Sequence, residues 1–211
     1  RRRFIDMQLS QIRPSYLRAL KIYLNVLESR NALLKKEKLT GTADFENQLD
    51  AWDEQLANAA VPIVTNRRWF LDELSQNAAE EYAGIAEDKA ERFSLAYQGA
   101  LAVSETPYRD MLAGLKRARS EDRRRMYTTF GPHRDDMDML LYGSDLRAVG
   151  SQGQLRTAVL SMKLGEIRLI EREMGETPAL LLDDVFSELD ARRRGALLRG
   201  ASGVQTLITC T

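Results

Sequence analysis

The sequence predicts a mixed α+β protein, a helical arm of about 110 residues followed by a layered α/β lobe. Three observations carry this. After Pro14, Leu17, Leu20, Leu24, Leu27 and Leu34 recur at three- and four-residue steps, with Asn31 in the remaining slot. After Met126 the pattern changes to aromatic and β-branched residues with a Gly-Pro break, in "MYTTFGPHRDDMDMLLYG". A long helical pattern then leads to the apolar run "ALLLDD", which ends on Asp183 and Asp184. We divide the chain at 1–13, 14–125 and 126–211.

The elements follow in order. Leucine spacing predicts a helix over 14–38, with proline tolerated in its first turn and Gly41 ending it. Phe45, Leu49, Trp52 and Leu56 share one face of a second helix over 44–60. A third starts at Pro62 and extends toward Gln98. Residues 99–106, weak in helical pattern, are read as a strand. Pro107 opens a helix to Ala118, and Ser120-Glu121-Asp122 is read as the cap and acidic first turn of another. The lobe has expected strands at 126–130, 137–142, 179–183 and 204–209, and helices at 152–174 and 190–200. With breaks at Gly41, Pro62 and Pro107, the arm is expected to be compact and built of short helices.

Composition excludes some classes. The chain has 211 residues, 44% of them apolar, with Lys plus Arg and Asp plus Glu both 31. A net charge of zero does not by itself indicate nucleic acid, although local basic clusters act through their own field. The single cysteine, Cys210, forms no internal disulfide and fits a reducing compartment. No run of about 18 apolar residues occurs, so no membrane span is expected. The first residues, Arg1-Arg2-Arg3, and the uncapped last ones, "VQTLITCT", are read as the ends of a fragment.

Two stretches carry chemistry. "LLLDD" reads as a strand whose carboxylates lie at its C-terminal end, where open α/β sheets bind ligands. Asp183 there suits Mg²⁺, a hard cation that takes carboxylate oxygen. Asp184, on the other side of the strand, suits orienting or deprotonating a water. Ser151-Gln152-Gly153-Gln154 opens the next-to-last long helix. Its unpaired N–H groups and positive dipole end suit a phosphate, and Gly153 lets a ligand approach the backbone. Each stretch alone also fits an ordinary turn or serine cap.

Their combination and order resemble the nucleotide-binding heads of the ABC ATPase superfamily. The resemblance matches Ser151, Gln152, Gly153 and Gln154 to the signature motif, which contacts ATP in trans. It matches Asp183 to the Walker B aspartate that holds Mg²⁺, and Asp184 to the catalytic acid, usually Glu. Ser187, Glu188 and Asp190 match the D-loop, and Thr211 the switch position, usually His. "RRRFID", "LKIYLNVLESRNALLK" and "GPHRDD" further resemble the RecF family of bacterial recombination mediators. The resemblance implies an ATP-bound homodimer with weak ATPase activity that binds single- and double-stranded DNA. It further implies work with RecR and RecO to load RecA in gap repair, a link to the SOS response, and a cytoplasmic location. No G-x-x-x-x-G-K-[ST] motif occurs in the chain. By itself it is therefore expected to bind ATP poorly and not to hydrolyse it. The alternatives are a chromosome-maintenance or transporter-type head, or a non-enzymatic helical interaction module.

The basic runs Arg1–Arg3, Arg67-Arg68, Lys116/Arg117/Arg119, Arg123–Arg125 and Arg192–Arg194 are each able to neutralise phosphates. Arg67 and Arg68, beside Trp69, and Arg123 and Arg124 are the DNA-contact candidates. His133 with Asp135 and Asp136 has the makings of a metal site but lacks a fourth ligand nearby. A supporting turn is the favoured reading.

Overall fold

Apolar residues Ile5, Leu9 and Ile12 fall at four- and three-residue steps and are buried on one face of α1 (Arg2–Ile12), which packs against α2 (Pro14–Thr40). The computed structural model describes residues 2–40, 43–86, 88, 90–183 and 189–209. Two compact units result. One comprises Arg1–Phe70 with Tyr97–Met137, the other Leu71–Ala96 with Asp138–Thr211.

The buried face of α2 meets the leucine stripe only at Leu34. Leu17 and Leu24 are exposed, whereas Tyr16, Tyr23, Arg30 and Leu34 are buried. Each polar residue on that face has a partner, although Arg30 Nη2 is itself left without one. Tyr16 Oη donates to Asp6 Oδ1 at 2.5 Å, Tyr23 Oη lies 2.6 Å from His133 Nδ1, and Arg30 meets two carboxylates. A tyrosine ring buries large apolar area once its hydroxyl is satisfied, so satisfied polar residues displaced leucine from the core.

Two expected helices are one. α3 (Phe45–Ile85) has 41 residues and passes through Pro62, a length of about 60 Å at 1.5 Å per residue. An interior proline costs about 3 kcal/mol. Around it, Ala60, Ile63, Val64 and Phe70 are fully buried, and that packing outweighs the lost hydrogen bond. The arm's helices are therefore not all short.

The expected strand at 99–106 is instead a series of turns, closed by Ala102 N–H to Gly99 O and Ser104 N–H to Leu101 O. The strand lies just before it, β1 (Phe93–Gln98), whose alternation Phe93, Leu95, Tyr97 has the period of two that the helical reading passed over. α4 (Pro107–Arg125) is continuous through Ser120. Asp122 is no first-turn acid but a buried acceptor for the Thr129 N–H and hydroxyl, at 2.7 and 2.6 Å. Those bonds draw residues 126–130 into turns instead of the expected strand.

A 3₁₀ turn (Pro132–Arg134) leads to β2 (Asp136–Leu141) and β3 (Ser144–Asp145). The three strands form a sheet in the order β1-β2-β3, with β2 and β3 antiparallel in the register Leu140↔Asp145. After a single turn, α5 (Leu146–Val149), the rest matches the sequence reading closely: α6 (Gln152–Met174), β4 (Leu180–Asp183), α7 (Ala191–Gly200) and β5 (Thr206–Thr209). β4 and β5 are parallel, with Leu180 opposite Thr206 and Asp183 opposite Thr209. Leu160, Leu164 and Ile167 of α6 and Leu197 of α7 form a core with Ile85 and Leu189, and Leu180, Leu182 and Val204 pack on it.

Candidate functional site

The site elements all belong to the second unit. α6 begins with a reciprocal cap. Ser151 Oγ accepts from Gln154 N–H at 3.2 Å, and Gln154 Oε1 accepts from Ser151 N–H at 2.8 Å. A serine followed three residues later by glutamine satisfies two orphan backbone donors in this way. Gln154 is held from its other end as well, its Nε2 donating to Glu91 at 2.8 Å. Glu91 in turn accepts from Tyr82 Oη at 2.6 Å, and the Tyr82 ring stacks on Phe93. Gln154 is thus a fixed part of the helix start. The amides of Gln152 and Gly153 remain in the first turn, where intrahelical partners are lacking, and they suit an anion.

Gly153 also makes room. A Cβ there would come within 2.9 Å of Arg193 Nη2. Arg193 reaches this position from the start of α7. Its Nε donates to Thr157 Oγ1 at 2.8 Å and its Nη1 pairs with Asp190. Asp190 caps α7, accepting from Arg193 N–H at 2.9 Å. That backbone bond, reinforced by the Arg193 guanidinium, holds the Asp190 carboxyl below its ordinary pKa. Asp190 and the signature-like turn are therefore joined through one arginine. Sequence reasoning had placed Arg193 only in a basic run; its position three residues after a helix-capping aspartate was the available signal. Nothing in the sequence marked Glu91.

Asp183 closes β4. Its carboxylate is exposed, and Oδ1 accepts from Thr209 Oγ1 on β5 at 2.6 Å. An exposed carboxylate at the C-terminal end of parallel strands fits a Mg²⁺ ion that keeps most of its waters. β4 is covered on one face only. Leu180 and Leu182 face the core, while Leu181 is 71% exposed beside Leu207 at 61%. Asp183 falls on the same open face as Leu181, two residues on. Asp184, Ser187, Glu188 and Thr211 lie outside the described residues. A cleft of about 650 Å³ in this unit is walled largely by apolar side chains, including Leu155, Val159, Ile170 and Leu181, and it lacks the amide donors of the α6 start.

The basic candidates each have partners within the chain. Arg67 is buried, not at a DNA-accessible surface. It donates to Asp6, Tyr16, Asp135 and the Pro132 carbonyl, the last at 2.6 Å. Arg68 donates to the carbonyls of Leu101 and Ser104. Arg123 is paired with Glu37 and Glu46, and Arg124 with Glu121. Arg13, not a second Trp69 neighbour in sequence, lies over the Trp69 ring at 3.3 Å. In "GPHRDD", Gly131 has φ 131°, and a Cβ there would meet Met111 and Tyr23 Oη at 2.7 and 2.9 Å. His133 bonds Tyr23 Oη and the Thr128 carbonyl, and Asp135 bonds Arg67 and Tyr97. Burial raises the Asp135 pKa against the opposing effect of Tyr97 and Arg67. No group of three metal-ligating side chains occurs among the described residues.

The parallel β4–β5 pair backed by α6 and α7 removes the reading of "LLLDD" as an accident within a purely helical module. A helical arm followed by a lobe of this kind is the arrangement that the resemblance to ABC-type ATPase heads implies. No protein-family model matches the chain. It is 44% identical over 218 aligned residues to the DNA replication and repair protein RecF of Symbiobacterium thermophilum, covering 100% of this chain and 56% of that protein. Two solved structures, of the recombination mediator protein RecF in the RecFOR pathway with ATPrS and with ATP, each superpose with a TM-score of 0.89 at 34% identity. They cover 100% of this chain and 57% of theirs. The chain is similar to these RecF proteins along its whole length, and it spans a little over half of theirs. No helix among the described residues is long and apolar enough to cross a membrane.

Proposed function

We propose that this chain is the arm and nucleotide-capping half of a RecF-type, ATP-dependent DNA-binding protein of recombinational gap repair. The observation that carries the proposal is the signature-like start of α6, with free amides at Gln152 and Gly153 and a built cap beneath them, in a chain similar to RecF throughout. Ser151 and Gly153 take the phosphate of an ATP held on the phosphate-binding loop of a second subunit, so that ATP joins a homodimer. Asp183 is the carboxylate for Mg²⁺, which when bound neutralises charge on the transferring phosphoryl group. Asp184 positions water, and Ser187, Glu188 and Asp190 line the dimer contact. Arg193 keeps Asp190 and the α6 start in fixed register. Thr211 at the switch position and Asp at 184 imply slow hydrolysis that acts as a timer. DNA, RecR and RecO are the proposed partners in loading RecA, in the cytoplasm and within the SOS response.

The open face of β4 and β5 supports this reading, since parallel sheets are ordinarily covered on both faces. The proposal is tested by joining the chain to the phosphate-binding-loop segment of its RecF relatives and measuring mass by light scattering with and without ATP. ATP-dependent dimerisation is expected, lost in Ser151→Arg and prolonged in Asp184→Asn. The chain alone is expected to show no micromolar ATP affinity. Tight ATP binding by the chain alone, or dimerisation unaffected by Ser151→Arg, overturns the proposal.

A further inference from the structure

Of the arginine candidates for DNA, Arg67 is buried, whereas Arg123 and Arg124 are exposed and paired with surface carboxylates; the first unit also segregates its charge. α2 carries Arg18, Lys21, Arg30, Lys35, Lys36 and Lys38 against only Glu28 and Glu37. Arg30 is buried, and Glu37 is half-buried and paired with Arg123. Arg18, Lys21, Lys35 and Lys36 are exposed. None of the first three has an acidic residue three or four positions away along α2, the spacing at which helix pairs form. Among the described residues no ion pair or hydrogen bond is found for their side chains. At 100° per residue, these four side chains project within a sector of about 100°, opposite the Tyr16–Tyr23–Arg30 face; the exposed Glu28 is the one acid in that sector, four cations to one. By contrast, the exposed positions of α3 between 45 and 66 include Glu46, Asp50 and Glu54 and no cation.

We propose that the outer face of α2, through Arg18, Lys21, Lys35 and Lys36, is a docking surface for the phosphate backbone of duplex DNA. From Arg18 to Lys36 the helix rises about 27 Å, which matches roughly eight base pairs at 3.4 Å each. Long, exposed cations on one rigid helix reach phosphates at both ends of such a span. The face favours duplex over single strand for a chemical reason. Binding of single strands relies on aromatic side chains that stack bases. Both tyrosines of α2 are buried, so its exposed residues include no aromatic. Side chains able to read base edges are also scarce there, Asn25 being the only exposed amide. Binding is therefore independent of sequence and dominated by counterion release.

The inference rests on the RecF-type reading only for the class of ligand, and its test needs neither ATP nor a dimer. The 211-residue chain is titrated into a fluorescent 20-base-pair duplex, and into a single strand of the same length, by anisotropy at several salt concentrations. Because all four residues are exposed, far-UV circular dichroism verifies that the variants stay folded. For Arg18→Ala/Lys21→Ala/Lys35→Ala, duplex affinity is expected to fall at least tenfold at low salt. The slope of log affinity against log salt is expected to become shallower by about 0.9 for each phosphate contact removed. Lys21→Glu/Lys35→Glu is expected to abolish binding, and Arg124→Ala to leave it within twofold. Unchanged affinity in the triple variant, preference for the single strand, or no duplex binding by the parent chain overturns the inference. In the chain joined to the phosphate-binding-loop segment of its relatives, ATP-driven dimerisation that survives these substitutions would show that the nucleotide reading stands apart from it.

Discussion

Replacing Arg30 by methionine tests the account of the first unit most directly. Arg30 is fully buried between two carboxylates. Nε donates to Asp53 at 2.7 Å, and Nη1 donates to Asp122 and to Thr128 Oγ1, each at 2.8 Å. Methionine fills the volume but leaves two charges without this partner. Removing one member of a buried pair costs about 3–5 kcal/mol. The structure places this site at the lower end. Asp53 retains Arg119, at 3.0 and 2.7 Å, and Asp122 retains the Thr129 N–H and hydroxyl. The expected loss is therefore about 3 kcal/mol, or roughly 6–12 °C in melting temperature at 2–4 °C per kcal/mol for a chain of this size. Both tryptophans, Trp52 and Trp69, lie in the first unit, so their fluorescence in urea reads this unit. Adding Asp122→Asn to Arg30→Met is expected to restore part of the loss, because one uncompensated charge is then gone. A loss below 1 kcal/mol, or strictly additive single effects, would refute the claim that these charges stabilise the fold as a network.

Two further outcomes follow from the same geometry. Burial holds the pKa of His133 down to about 4 from its ordinary 6.5, opposed by the hydrogen bond to the Thr128 carbonyl. Between these values the unfolded chain binds more protons, so stability is present above about pH 6.5 and is lost as pH falls toward 4. The upper limit is about 3 kcal/mol, and urea titrations of His133→Gln should show a flatter profile across that window, the other acid-titrating groups being common to both proteins. Gly165 on α6 faces the backbone of α3, where a Cβ would meet Ala78 N at 2.8 Å. Gly165→Ala should therefore lower stability by about 1–3 kcal/mol in thermal denaturation followed by circular dichroism, despite alanine's better helix propensity.

Local chemistry determined much of the lobe in advance. The serine cap at Ser151, the α6 span and the Asp183 strand end each depend on neighbours within a few residues, and each was legible from spacing. The arm was less legible because its core is polar. Tyr16, Tyr23, Arg30 and Arg67 are buried through partners 10 to 110 positions away, such as Asp6, Asp53, Asp122 and His133. An apolar stripe was therefore the wrong guide to which face of α2 is buried. The same distance effect let Pro62 pass inside α3 and hid Glu91 behind Gln154. It also reassigned the arginines, whose charge is visible in sequence but whose partners are not. The sequence by itself determined the order of elements from α6 onward and the phosphate-suited helix start, because caps, turns and strand ends are satisfied locally. Only the tertiary structure decided which charges are consumed inside the fold and which stay on the outer face of α2, because ion pairing depends on distances the chain sets by folding.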